Sequence, residues 1–407
     1  MDWHVGRRGF LRRMITMTAL GAAGSSLGGA HTSSAGAAAT KAAYDPAAKF
    51  DVKVSEVEFR RTAKSRQLMA RIYQPEGAGP FPTLLDLHGG AWINKDRFAN
   101  EPMDRAVAAS GVLVVAIDMT LGTEAPYPAS VQDASYGVRW LKWKASGWNG
   151  DASTVGVLGS SSGGHVAELL AMRPRDPRYN AIALTEAPGV DTTVLYVATR
   201  SPISDPWARF QQAQKMKRET LIKASQSYFN PWDTIHEGNP QEMLDRRETV
   251  TLRPLLIMQG ALDDNVLPAV QEKFQATYRA AGGECQLHVF EGSEHEWIAK
   301  PGPQTDRAHE MVKAFIARNL AAARVGRNRR LDLQARDRRA TARLSGLATT
   351  LPRNTVARIG RVCGTAARRV CRRDDGGLFP PPRRTASPIG FRFSSPGRAA
   401  PARFRRS

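Results

Sequence analysis

Three cysteines in 407 residues are too few for a disulfide-stapled fold. Cys285 stands in an apolar-alternating run, and Cys363 and Cys371, which lie in the tail, could bridge in an oxidising compartment. Their scatter also lacks the spacing of a metal site, so no metal is expected. No uncharged apolar run approaches the ~18–20 residues of a spanning helix, which excludes a membrane span of that kind. Lysine is missing from residues 324–407, which hold 22 Arg against 4 Asp, a net +18 of the chain's +20. The 323 residues before them carry 36 Lys and Arg against 34 Asp and Glu. The body is therefore nearly neutral, and nucleic acid is not an expected partner of the folded domain.

What is present is a globular composition, 42% hydrophobic and 24% charged, long enough for a sizeable core. The first residues read as an address. Arg7-Arg8 and Phe10-Leu11 precede a mildly apolar, glycine-rich stretch from Met14 to Leu27. This resembles a bacterial twin-arginine export signal, with cleavage near Ala30 or at Ala35-Gly36-Ala37. Residues 1–37 are thus expected to be leader, the twin-arginine machinery a partner, and the destination periplasmic or secreted. The Arg/Pro-rich segment 324–407 is expected to be disordered. Its composition fits a basic arm for polyanions, or a shifted reading frame of GC-rich DNA.

Residues 38–323 form the expected folded domain. "FDVKVSEVEFR" and "QLMARIYQP" alternate with the two-residue period of an opening hairpin. "TLLDLHGG", "VLVVAIDM", "STVGVLGS", "AIALTEA" and "PLLIMQG" are short, nearly continuous apolar runs, as in strands covered on both faces. Helical patterns separate several of them, at Met103–Ser110, Pro128–Ala145, Ser162–Met172 and Pro268–Ala281. The alternation predicts an α/β fold with a mostly parallel, doubly wound sheet, whose reactive side chains gather beyond the carboxyl ends of the strands. From about residue 190 to 249 the chain turns polar and helix-leaning, which predicts a cap inserted over that edge.

Gly159-Ser160-Ser161-Ser162-Gly163 fits G-x-S-x-G between a strand and a helix, the setting of a nucleophile elbow. The turn leaves no room two residues before and after the nucleophile, and only Ser161 has glycine at both places. A serine hydroxyl needs a base held in one orientation. If an acid and then a histidine follow the elbow along the chain, His295 in "EGSEHEW" is the base, because it follows a strand in a loop. His236 comes too early, His288 lies within a strand and His309 within a helix. The acid is Asp263 in "QGALDDNV", with Asp264 its rival. In "LDLHGGAW" the N–H groups of Gly89 and Gly90, with that of Ser162, would receive a developing oxyanion. His88 would orient that loop, and His165 would pack. Trp92 and Trp297 are candidates for contact with substrate.

These motifs resemble those of α/β-hydrolases of the hormone-sensitive-lipase-like and feruloyl/acetyl esterase-like group. The match rests on "HGGAW", "GSSSGGH", "QGALDDNV" and "GSEHEW", covers roughly Phe50 to Leu320, and extends to "DMTLGTEAPYPASVQDASYGVRWLK". Ser160 departs from the acidic or His residue common before the nucleophile, and Ala91 from a third glycine. The resemblance implies a serine hydrolase that cleaves small-molecule carboxylic esters through an acyl-enzyme, without a cofactor. "HGGxW" also resembles the motif of kynurenine formamidases, which keeps an amidase open. A non-catalytic binding protein on the same scaffold is the third reading.

Overall fold

Side chains alternate across the first two strands, β1 (Val52–Arg61) and β2 (Gln67–Pro75), and the strands pair as an antiparallel hairpin with a bulge between Glu58 and Arg60. The computed structural model describes residues 43–350. Six more strands follow: β3 (Phe81–Leu87), β4 (Leu113–Ile117), β5 (Gly150–Ser160), β6 (Val197–Arg200), β7 (Leu255–Gly260) and β8 (Cys285–Phe290). They make one sheet in the order β1-β2-β4-β3-β5-β6-β7-β8. β2 meets β4 antiparallel, and every pairing from β4 to β8 is parallel.

The helices are α1 (Glu101–Ala108), α2 (Ala129–Lys144), α3 (Ser162–Met172), α4 (Pro206–Lys215), α5 (Glu219–Tyr228), α6 (Thr234–Glu237), α7 (Pro240–Asp245), α8 (Pro268–Ala280) and α9 (Pro303–Thr350). The central strands are covered on both faces. Leu85, Leu87, Leu113, Val115 and Ile117 pack towards α2, α3 and α8, while Leu84, Val114 and Ala116 pack with Met103 and Val107 of α1 and Val312, Phe315 and Ile316 of α9. That two-residue alternation within unbroken apolar runs is what a doubly covered sheet requires. The expected mostly parallel, doubly wound sheet is present.

Three expectations need correction. "AIALTEA" is not a strand: residues 181–190 have no regular strand or helix, and its place in the sheet is taken by Val197–Arg200. The Pro188-Gly189 turn interrupts the first segment, whereas Val194, Tyr196, Val197 and Ala198 are buried. The cap consequently begins after Arg200 and consists of α4 to α7. Its first and last helices share a polar tie: Asp205 caps α4 by accepting from the Ala208 N–H, and also accepts from Asn239, which caps α7. Lastly, residues 324–350, expected to be disordered, are helical. The segment is rich in Ala, Arg and Leu, and no proline occurs between Pro303 and Pro352. The chain divides into two units, 1–320 and 321–407, and in the second only the helical residues to Thr350 are described. The leader, the remaining tail, Cys363 and Cys371 lie outside the described residues. Among those described, no helix is long and apolar enough to cross a membrane.

Candidate active site

The apolar strand β5 ends at Ser160, and Ser161 turns the chain into α3 with φ 52° and ψ −116°, a conformation L residues rarely adopt. The turn requires bare backbone. A Cβ on Gly159 would lie 2.5 Å from the Gly163 carbonyl oxygen, and one on Gly163 would lie 2.1 Å from that of Leu87. The Ser161 N–H donates to the Arg200 carbonyl at 2.8 Å, and the Ser161 carbonyl accepts from the His165 N–H at 3.1 Å, starting α3. The backbone is fixed on both sides, which sets the direction of the Ser161 Cα–Cβ bond.

The hydroxyl faces His295. The Ser161 Oγ donates to His295 Nε2 at 3.0 Å, and His295 Nδ1 donates to Asp263 Oδ2 at 2.8 Å. Asp263 is 2% exposed, in the turn after β7. Its Oδ1 accepts from the N–H groups of Asn265 and Val266, and its Oδ2 also from Gln259 Nε2 at 3.0 Å. Burial pushes this carboxyl up, but the hydrogen bond and charge of His295, with the Val266 N–H, hold it below the ordinary carboxylate range. It is an anion placed to fix one imidazole tautomer. Asp264, the rival acid, is exposed and pairs with Arg218 in the cap region.

The loop after β3 lies against the elbow: a Cβ on Gly89 would stand 3.2 Å from Ser161 Cβ. Gly90, Ala91 and Trp92 all have positive φ. Gly90 has no space for a side chain, since its Cβ would meet the Asn94 carbonyl at 2.1 Å. His88 braces the turn, accepting from the Met119 N–H on Nε2 and donating from Nδ1 to the Gly89 carbonyl. Among the described residues nothing accepts the N–H groups of Gly89 and Gly90. Ser162 opens α3, where helical N–H groups lack internal acceptors and the helix dipole favours negative charge. Beside these donors lies a small pocket lined by Gly89, Trp92, Met119, Leu121, Ser162 and Val166.

The two tryptophans part company. Trp92 lines that cavity, stacks on Tyr228 at 4.8 Å and donates from Nε1 to His165 Nδ1 at 3.1 Å. Trp297 is a correction. It stacks on Phe290 at 4.3 Å in the core shared with α1 and α9, because the chain after His295 turns back into a short 3-10 segment, Trp297–Ala299. It is packed as a core residue. His165 packs as expected, fully buried and bonded to the Gly238 carbonyl. His236, His288 and His309 take no part in the Ser161–His295–Asp263 chain.

Several polar residues at the site escaped sequence reasoning. Gln259 supports Asp263, and its only signal was a lone amide in the apolar run "PLLIMQG". Arg200 ends β6 and is 4% exposed; its Nη1 donates to the His295 carbonyl at 2.5 Å. Behind the elbow, Ser160 Oγ donates to Asn100, whose amide donates to both oxygens of Asp86. Burial raises Asp86 to about 7 and carries Asp104 well above the usual range. A small pocket adjoins this network, lined in part by Asn100, Ser160 and Arg200. Among the described residues, no three His, Cys, Asp or Glu side chains are grouped to hold a metal ion.

The family model BD-FAE matches residues 71–277, half of the chain. The chain belongs to the BD-FAE family. That span covers the elbow, the glycine loop and Asp263, and stops short of His295. Esterase LipC of Mycobacterium tuberculosis is 30% identical over 247 residues, covering 58% of each chain. Carboxylesterase NlhH of the same species is 33% identical over 108 residues, 26% of this chain and 34% of that protein. The BD-FAE chain thus spans about a third to three fifths of the length of these curated relatives. Among solved structures, esterase B from Lactobacillus rhamnosis superimposes with TM-score 0.55 at 19% identity, over 70% of this chain and 91% of that one. A truncated carbohydrate esterase from gut microbiota gives TM-score 0.54 at 18% identity, over 67% and 98%. The fold is that of the α/β-hydrolases.

Proposed function

We propose that this BD-FAE protein is a serine hydrolase that cleaves small-molecule carboxylic esters. The observation that carries the reading is the hydrogen-bonded chain Ser161–His295–Asp263, at 3.0 and 2.8 Å, beside the Gly89 and Gly90 amides. Ser161 Oγ attacks the ester carbonyl carbon while its proton passes to His295 Nε2. The N–H groups of Gly89, Gly90 and Ser162 receive the oxyanion, a role in which one donor is commonly worth about 10²–10³ in rate. Asp263 holds the imidazole and stabilises the imidazolium. When the intermediate collapses, the carbon–oxygen bond to the alcohol breaks and His295 returns the proton to the leaving oxygen. Water, deprotonated by His295, then releases the acid and restores Ser161.

LipC and NlhH are named as esterases, which supports ester over amide. The small cavity beside the donors, with Met119, Leu121 and Val166 in its wall, supports short acyl groups. Turnover of a p-nitrophenyl ester series from acetyl to decanoyl tests both points. Activity should be highest on the short esters and lost in Ser161→Ala; undiminished turnover by folded Ser161→Ala would defeat the mechanism. Export by the twin-arginine route is part of the proposal, supported by Arg7-Arg8 and the weakly apolar stretch after them. A reporter fused behind residues 1–37 should reach the periplasm, and Arg7→Lys with Arg8→Lys should hold it in the cytoplasm.

A further inference from the structure

We infer that Arg200 is a positioning residue that sets the spacing between the nucleophile and its base. The inference rests on the serine-hydrolase reading above. Ser161 and His295 are separated by 134 positions in the chain and come from different strand ends. One residue touches both. The Arg200 main-chain carbonyl takes the Ser161 N–H at 2.8 Å, and the same residue's Nη1 donates to the His295 carbonyl at 2.5 Å. Among the described residues, no other donor reaches that carbonyl.

The His295 loop needs such a brace. It follows Gly292, whose φ is +69°, and its neighbour Glu296 is half exposed. Apart from the imidazole's own bonds to Asp263 and Ser161, the loop is tied on either side of His295: the Leu262 N–H donates to the Ser293 carbonyl, and Glu296 pairs with Lys95 and, at 3.9 Å, with Arg200. Arg200 itself cannot drift far. Its strand is held in register with Ser160 on one side and Met258 on the other. The guanidinium therefore transmits the position of the sheet to the imidazole. It makes no hydrogen bond to the imidazole or to the Ser161 hydroxyl.

This separates Arg200 from a residue that merely fills the core. Any residue at 200 keeps the carbonyl that receives the Ser161 N–H, so Arg200→Met removes the guanidinium's ties to His295 and Glu296 and leaves that bond in place. A misplacement of about 1 Å in a reacting group costs about 10² in rate. The full-length protein and its Arg200→Met, Arg200→Lys and Arg200→Ala variants are compared by two measurements. One is the rate of covalent labelling by a fluorophosphonate, together with kcat and KM on p-nitrophenyl acetate. The other is the downfield proton resonance of His295 Nδ1–H against Asp263, which needs no turnover.

Arg200→Met is expected to fold, to lose or broaden the downfield resonance, and to lose about 10² in labelling rate and kcat with KM within about two-fold. Arg200→Lys should recover part of both. Guanidinium ion should restore part of both to Arg200→Ala, since truncation to alanine vacates the guanidinium's own space beside the pocket that Arg200 lines. If Arg200→Met does not fold, the Lys variant and guanidinium rescue carry the same comparison. Retention of resonance and rate in the Met variant overturns the inference. So does an equal loss in the Met and Lys variants that guanidinium leaves unchanged. A wild-type protein that shows the resonance but takes no label would instead defeat the hydrolase reading, and the resonance would still decide Arg200.

Discussion

Replacing Asp263 by asparagine changes one polar atom in a buried turn and should disable the site through the imidazole tautomer. The side chain's Oδ1 keeps its two backbone donors, Asn265 and Val266. Where Oδ2 accepted from His295 Nδ1, the new amide offers N–H groups. The imidazole must then present Nδ1 as an acceptor, which puts its proton on Nε2, opposite the Ser161 hydroxyl. The base is lost although every heavy atom can stay in place. The equivalent change in Ser-His-Asp enzymes lowers kcat by about 10⁴, which corresponds to about 5 kcal/mol of transition-state stabilisation. The same amide meets Gln259 Nε2, a donor facing a donor. Gln259 can rotate to offer its Oε1, which has no other partner, but then gives up its bonds to the Gly260 and Val266 carbonyls. A stability cost of about 1–3 kcal/mol follows. The pH dependence has a definite sign. Because the folded state holds Asp263 below the ordinary value of 3.8, its contribution is complete above that value and fades as pH falls through the lower folded value. The stability gap between wild type and Asp263→Asn should therefore close below pH 3.8. The assay is kcat/KM on p-nitrophenyl acetate with thermal unfolding across pH; a folded Asp263→Asn within about ten-fold of wild-type kcat would refute the reasoning.

Ser161→Gly should abolish turnover yet raise the unfolding midpoint, because glycine adopts φ 52° without the strain, on the order of 1 kcal/mol, that serine bears; a lowered midpoint would contradict this. Trp297→Phe keeps the stack on Phe290 and removes an indole N–H that has no partner, so KM on short esters should stay within about two-fold of wild type. A KM raised well beyond that would return Trp297 to the substrate site. Burial lowers His165 from 6.5 to about 4, so the unfolded chain binds its proton first. Its contribution falls as pH drops from 6.5 towards 4, by about 3 kcal/mol at most. Chemical denaturation should show the advantage of wild type over His165→Gln shrinking across that window, and a constant difference would refute it.

The parts of the site that follow one chemical rule each were legible in the sequence. Gly159 and Gly163 are demanded by local sterics, and they singled out Ser161 among three serines without reference to anything distant. His295 emerged because the other late histidines sit inside regular elements. Asp263 and Asp264 were not separable by pattern, since both follow the same strand. The structure separates them by direction: one turns in to His295 and the other out to Arg218. Trp297 follows His295 by two residues, yet it packs into the core beside Phe290 because the chain turns back after His295. β6 was misplaced because it has only four residues, one of them an arginine, and the more apolar-looking "AIALTEA" lay nearby. Arg200 was invisible for a related reason. Its partners, Ser161 and His295, are joined to it by sheet order, which no local window contains.

Intact-mass and peptide mapping after exposure to a fluorophosphonate shows whether Ser161 is the nucleophile. One phosphonyl adduct per chain is expected, on the hydroxyl of Ser161, formed slowly or not at all in His295→Ala. An unmodified protein, or an adduct carried by another residue, would contradict that role for Ser161.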